Sequence, residues 1–178
     1  MFRKMRLLDY KVNDSITKIQ CPFLDRLMVL ATYGGTGALI WWIALVLPFM
    51  ISGTYRRTGI ILIIALGFNF LLGEIIIKKT VGRPRPSNLI DEEELKINKP
   101  KDHSFPSGHT ASSFCAFTVT FWNCPWYFWV PALVAACLIS FSRLYLRVHY
   151  LSDVLFGIVL GLIDGSIVNL IFQNLIFV

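Results

Sequence analysis

The feature that most constrains this chain is a series of apolar runs, each long enough to cross a bilayer, of which "YGGTGALIWWIALVLPFM" is one stretch. A membrane-spanning helix needs about 20 predominantly apolar residues. Lipid offers no partners for backbone N–H and C=O groups, so such runs must be helical or close into a barrel. Spans are expected near residues 27–52, 59–77, 106–122 and 126–145, and from His149 or Ser152 to the C-terminus. The first 20 residues mix basic and apolar types, with Phe2, Met5, Leu8, Val12, Ile16 and Ile19 at roughly helical spacing. They are too polar to span and read as an amphipathic interfacial helix. The expected fold is therefore all-α: a polytopic membrane helix bundle of about five transmembrane helices plus an N-terminal amphipathic interfacial helix. Residues 1–178 are expected to form a single membrane-embedded domain. Within it, 1–24 hold the interfacial helix and 25–178 the transmembrane core, with 79–106 the long loop between the second and third spans.

Local signals set the expected breaks. Pro48 is expected to kink the first span, and the prolines of "KKTVGRPRP" to stop the second. Pro106 suits the first turn of the third, where its missing N–H is not needed. "DEEELKINKPKD" reads as a solvated loop, with room for a short helical turn, whose charges need no function.

Composition narrows the function. Hydrophobic residues make up 55% and charged residues 16%, which excludes an ordinary soluble domain. The net charge is +6, carried by basic residues that flank apolar segments, so headgroups or phosphates are the expected partners. No aromatic-basic pattern of a nucleic-acid module is present, and no nucleic-acid partner is expected. Cys21, Cys115, Cys124 and Cys137 lack Cys-x-x-Cys spacing and read as small hydrophobes, not as a metal site or disulfide framework. No cofactor is expected. The basic N-terminus lacks the compact apolar stretch and small-residue site of a cleavable signal peptide. Small residues in the first and fifth spans fit packing within the chain or between chains, and the oligomeric state stays open.

The number of crossings makes a stronger statement. Span two exits on the face from which span three starts, and span four returns to the face from which span five leaves. Lys78, Arg83, Arg85, Ser107, His109, Arg143, Arg147, His149 and Asp153 are therefore expected at one membrane face. Ionisable groups at membrane depth usually mark function, and clustered cations call for an anion. Arginine's planar fork matches phosphate oxygens and lysine acts as a point charge. Ser107 and Gly108 open a helix whose free N–H groups favour an anion, and Gly108 lets a phosphate approach closely. His149 and Asp153, four apart, would share one helix face. Asp153 then fixes the imidazole tautomer and leaves the other nitrogen as nucleophile, while His109 is free to protonate a leaving oxygen.

Three segments carry a resemblance. "KKTVGRPRP" supplies Lys78, six residues, then Arg85-Pro86; "PSGH" runs from Pro106 to His109; "SRLYLRVHYLSD" supplies Ser142-Arg143, five residues, His149, three residues, Asp153. In order and spacing these resemble the signature motifs of the type 2 phosphatidic acid phosphatase superfamily. The resemblance implies a metal-independent, integral-membrane phosphatase acting on lipid phosphates or diphosphates such as undecaprenyl diphosphate, phosphatidylglycerol phosphate or phosphatidate. It implies a phosphohistidine on His149, oriented by Asp153, with His109 as general acid. Lys78, Arg85, Ser107, Gly108 and Arg143 would hold the phosphoryl oxygens. Arg147 stands where many members have a small residue, often glycine; it either reaches a second phosphate or snorkels to the interface. Arg83 is either behind the site or solvated.

Two alternatives stand beside this reading. Zinc on His103, His109, His149, Asp102 and Asp153 is disfavoured, because Asp153 serves His149 better and a ring of cations repels a metal. A catalytically silent lipid-binding or lipid-transporting protein of the same fold is disfavoured because both histidines are kept. Arg56 and Arg57 on the opposite face suit a cytoplasmic loop, although the basic N-terminal helix argues the other way. By resemblance to bacterial members, the expected location is the cell membrane, with the site on the extracytoplasmic face.

Overall fold

The structure is a computed structural model and describes residues 2–174. Helices follow one another as α1 (Phe2–Thr17), α2 (Pro22–Ile51), α3 (residues 56–81), α4 (Gly108–Asn123), α5 (Trp126–Tyr145) and α6 (Leu151–Asn174). The expected all-α bundle is what the chain forms. Residues 175–178, to which the last span was expected to run, lie outside the described residues, as does the side chain of Phe2.

Four helices, α2, α3, α5 and α6, are long and apolar enough to cross a membrane. The fifth, α4, has 16 residues and about 24 Å of length at a helical rise. It sits at the centre of the bundle, with Ala111, Cys115, Ala116 and Val119 fully buried. The glycines of α6 explain how it packs so tightly. A Cβ on Gly157 would lie 2.9 Å from the Ser107 carbonyl, one on Gly165 2.8 Å from Thr118 Cβ, and one on Gly161 would collide with the Ala111 carbonyl. Spaced four apart, these glycines form a groove that admits the α4 backbone, the usual route to close helix contact in lipid. The small residues of the last span thus pack within the chain. Outward-facing positions are the reverse of a soluble protein: Leu30, Ile51, Val134 and Leu155 are exposed, as a lipid-facing girdle requires.

Several boundaries differ from expectation for identifiable reasons. α2 begins at Pro22, five residues before the expected start, with proline in its first turn. The charge of Asp25 there is satisfied by Tyr145 Oη and Lys96 Nζ, each at 2.8 Å. The break in α2 falls at Gly37 and Ala38, both left-handed at φ 57° and 59°, and not at Pro48. Pro48 is instead absorbed by a widened turn over Trp42–Val46. α3 outruns its expected end and stops at Gly82, left-handed at φ 61°, with the prolines following the stop. Lys78 therefore lies in its last turn. α4 starts at Gly108 with Ser107 capping, so Pro106 precedes the helix and is not in its first turn. His149 lies in the turn ahead of α6, and Asp153 in the first turn of that helix. The pair does not share a helix face; Asp153 Oδ2 reaches back to the Tyr150 N–H at 2.9 Å, one arm of a capping box.

α1 is amphipathic: Val12 and Ile16 of the expected apolar stripe pack inward with Asp9 and Asn13, Met5 and Leu8 are exposed, and Ile19, also exposed, follows the helix.

Candidate active site

A cavity of about 720 Å³ opens at the end of the bundle where the α3–α4 loop and the α5–α6 turn meet. Its polar wall is built from Lys78 of α3, Arg85 of the loop, Gly108 and His109 of α4, Arg143 of α5, and His149. Its apolar wall comes from α2 and α3, including Tyr33, Trp42, Leu66 and Phe70. The segments assembled from the count of crossings do converge.

His149 is 1% exposed, and its Nε2 lies 3.0 Å from Arg85 Nη1. A guanidinium only donates, so Nε2 accepts and the ring proton sits on Nδ1. Nδ1 faces Asp153 Oδ2 at 3.7 Å, inside ion-pair range and beyond a formed hydrogen bond. Burial first, then the charges of Arg85 and Arg143, push the His149 imidazole well below its ordinary range, so it is neutral at neutral pH. Arg85 is fixed on three sides. Nη1 donates to the Val148 carbonyl at 2.8 Å, Nε to the Asp102 carbonyl at 2.9 Å, and Nη2 to Asp102 Oδ1 at 2.8 Å.

His109 packs edge-on against Gly35, where a Cβ would come within 2.8 Å of its ring. Its Nε2 is 3.3 Å from Thr36 Oγ1. The break in α2 therefore places a small residue and a hydroxyl beside this imidazole. Arg143 donates from Nη1 to Thr32 Oγ1, and its Nε is buried without a partner.

Not every expected residue reaches the cavity. Ser107 is fully buried, its Oγ pairs with Thr110 Oγ1 at 3.0 Å, and its N–H donates to the Asp153 carbonyl at 3.2 Å. That amide is spent on joining α4 to α6, and the free helix-end amides belong to the residues after it. Arg83 turns away from the cavity to Asp153 Oδ1 at 2.5 Å, Asp9 Oδ2 at 2.8 Å and Ser152 Oγ at 2.7 Å. Arg147 also points elsewhere, with Nη1 3.8 Å from Glu94 Oε2. Its backbone is left-handed at φ 57°, which accounts for a position where glycine fits well.

Residues the sequence reading passed over complete the cavity. Glu74, one turn before Lys78, places its carboxylate against Gly108, where any Cβ would collide with it. Lys78 Nζ donates to Glu74 Oε2 and Oε1 at 2.6 and 2.7 Å and to Asp102 Oδ2 at 2.8 Å. A lone carboxylate in an apolar span was the available signal. Asp102 belongs to the loop whose charges were read as needing no function, yet it grips both Lys78 and Arg85. Partial burial raises its carboxyl, but the Lys78 bond and the Arg85 charge outweigh that and bring it down to about 2. Asp102 and Asp153, the two carboxylates of the zinc alternative, are thus both engaged by protein cations.

The PAP2 superfamily model matches residues 58–177. This chain belongs to the PAP2 superfamily. It is 33% identical over 143 residues to the undecaprenyl-diphosphatase of Sulfolobus acidocaldarius, covering 80% of this chain and 68% of that protein. It is 29% identical over 174 residues to phosphatidylglycerophosphatase B of Bacillus subtilis, covering 87% of this chain and 78% of that protein. The crystal structure of Aquifex aeolicus LpxE superposes with a TM-score of 0.77 at 28% identity, over 90% of this chain and 94% of that one. The chain is accordingly a multi-pass membrane protein and a phosphatase.

Proposed function

We propose that this chain removes phosphate from a lipid phosphate or diphosphate through a phosphohistidine, without a metal. The observation that carries this reading is the convergence of His109 and His149 on one cavity with Lys78, Arg85 and Arg143. The His149 Nε2 lone pair forms the N–P bond as the P–O bond of the substrate breaks. The leaving oxygen takes its proton from His109. Water, deprotonated by His109, then forms a new P–O bond, the N–P bond breaks, and inorganic phosphate leaves. Asp153 faces the protonated Nδ1 and stabilises the charge that develops on the ring. Lys78, Arg85, Arg143 and the α4 N-terminus supply the charge that phosphoryl transfer needs, the role a metal plays elsewhere. Ser107 supports this arrangement through its bond to Asp153. Glu74 and Asp102 occupy the cations until a phosphate takes their place.

The apolar α2–α3 wall suits acyl or prenyl chains. The names of the relatives favour undecaprenyl diphosphate, phosphatidylglycerol phosphate or a similar anionic lipid. Residues 1–178 act as a single domain in the cell membrane. Arg56 and Arg57, which donate to the Met50 and Phe172 carbonyls at 3.3 and 3.2 Å, mark the end away from the cavity. That short basic turn supports a cytoplasmic end there and an extracytoplasmic site.

The test is phosphate release by the detergent-purified protein from these lipids, with and without EDTA. Wild type is expected to turn over one of them unchanged by EDTA and to lose release in His149→Ala. Equal release by His149→Ala would reject the mechanism, and loss with EDTA would reject metal independence.

A further inference from the structure

Asp9 is a buried carboxylate on a surface helix, 2% exposed, far in sequence from every motif. Its partners are unusual for such a helix. Oδ2 accepts from Arg83 Nη2 at 2.8 Å and from Ser152 Oγ at 2.7 Å, and Oδ1 accepts from the Ser152 N–H at 2.9 Å. Arg83 places its other nitrogen on Asp153 Oδ1 at 2.5 Å and stacks its guanidinium 4.1 Å over the Tyr150 ring. Tyr10, the next residue of α1, meets that same ring edge-on at 6.0 Å. Asp153 in turn faces His149. The chain of contacts is Asp9, Arg83, Asp153, His149, and each link behind the imidazole is charged.

We propose that Asp9 is a positioning residue for the phosphatase reaction, holding Arg83 so that Asp153 keeps the distance and charge His149 needs. This rests on the assignment of His149 as nucleophile and Asp153 as its orienting partner. The physical requirement is balance. Arg83 alone against Asp153 would neutralise the carboxylate and draw it away from the imidazole. A second carboxylate shares the guanidinium, anchors it from the far side and returns a net negative charge to the cluster. Ser152, bonded to both, ties the assembly to the first turn of α6. The reach of the arrangement is what makes it informative. The N-terminal helix α1 is keyed, through Asp9, to the group that orients the nucleophile.

The test is steady-state phosphate release from phosphatidate and from undecaprenyl diphosphate in detergent micelles, with melting temperature measured alongside. Asp9→Asn is expected to lower kcat roughly tenfold while KM stays within about twofold, the scale seen when outer partners of a catalytic group are removed. In an Arg83→Gln background the same change is expected to add less than about twofold, because the link it acts through is already gone. Unchanged kcat in Asp9→Asn, or a full loss repeated in the Arg83→Gln background, would overturn the proposal. Should Asp9→Asn melt several degrees lower, Arg83→Lys carries the test, since it keeps the charge and loses the fork; kcat must fall with KM held, and a normal kcat would overturn the idea. If wild type passes both controls, turnover of one lipid and its loss in His149→Ala, any such failure belongs to Asp9 alone. If wild type fails those controls, the nucleophile assignment falls and takes Asp9 with it.

Discussion

Cations are shared between pairs of carboxylates both behind His149 and in front of it, but the two clusters differ in what can reach them. Behind, Arg83 lies between Asp9 and Asp153, whose side chains are 4% and 0% exposed. In front, Lys78 lies between Glu74 and Asp102, whose side chains are 28% and 49% exposed and whose cation lines the cavity. The same chemistry serves two purposes. Both carboxylates around Arg83 are buried, although the arginine itself is 24% exposed, so that cluster fixes geometry. An open cluster can release a carboxylate when a better anion arrives, so it binds.

The largest effect should come from breaking the sealed side at its inner end. Asp153→Asn removes the charge that faces Nδ1, and a fall in kcat of roughly ten-thousandfold is expected, on the scale set by other carboxylates that fix a catalytic imidazole. A fall below about tenfold in steady-state phosphate release would mean that Asp153 is only a helix cap.

The open side should respond in the opposite sense. Glu74→Gln keeps the shape and removes a competitor for Lys78, so vanadate, which resembles the phosphoryl transition state, is expected to inhibit about tenfold more tightly, equivalent to about 1.4 kcal/mol. Weaker inhibition, read from dose–response curves, would show that Glu74 helps to hold the anion.

Between the clusters sits His149 itself. Burial and the cations of the open side hold its imidazole below the ordinary range. Attack needs the neutral ring, and a lowered value keeps it neutral further into acid. The acid limb of kcat/KM should therefore lie below the usual histidine value of about 6.5. A limb above that value in a pH series would show the sealed carboxylates to dominate.

The smallest effect tests a residue outside both clusters. Arg147→Gly relieves a left-handed backbone and should stabilise the protein by about 1 kcal/mol, read as a rise in melting temperature. A fall would mean that the Glu94 contact outweighs the strain.

The division between the clusters also marks where the sequence was legible. Lys78, Arg85, His109, Arg143 and His149 were readable because fixed spacing and the parity of crossings bring them together whatever the details of packing. Ser107 lies off the cavity with its amide bonded to the Asp153 carbonyl, because backbone bonding, not residue type, decides whether a helix-end amide is free. Arg83 and Arg85 share one turn; the six-residue spacing from Lys78 singled out Arg85, but the partners that hold the two, Asp9 and Asp102, 74 residues before one and 17 after the other, could not be read from "GRPRP". The helical spacing of α1 was legible, but the inward place of Asp9 was not, since a buried carboxylate depends on a partner 74 residues away. Pro48 was expected to bend α2, yet the break fell at Gly37 and Ala38, beside His109, where backbone freedom serves the site.

The groove of Gly157, Gly161 and Gly165 sets the height at which the α4 N-terminus, and with it His109, meets the rest of the site. No side chain intervenes to absorb an error, so accuracy at the chemical end is inherited from bare backbone contact between α4 and α6. Mutational scans should therefore show these positions to be as intolerant as the histidines, although none of the three comes near a substrate.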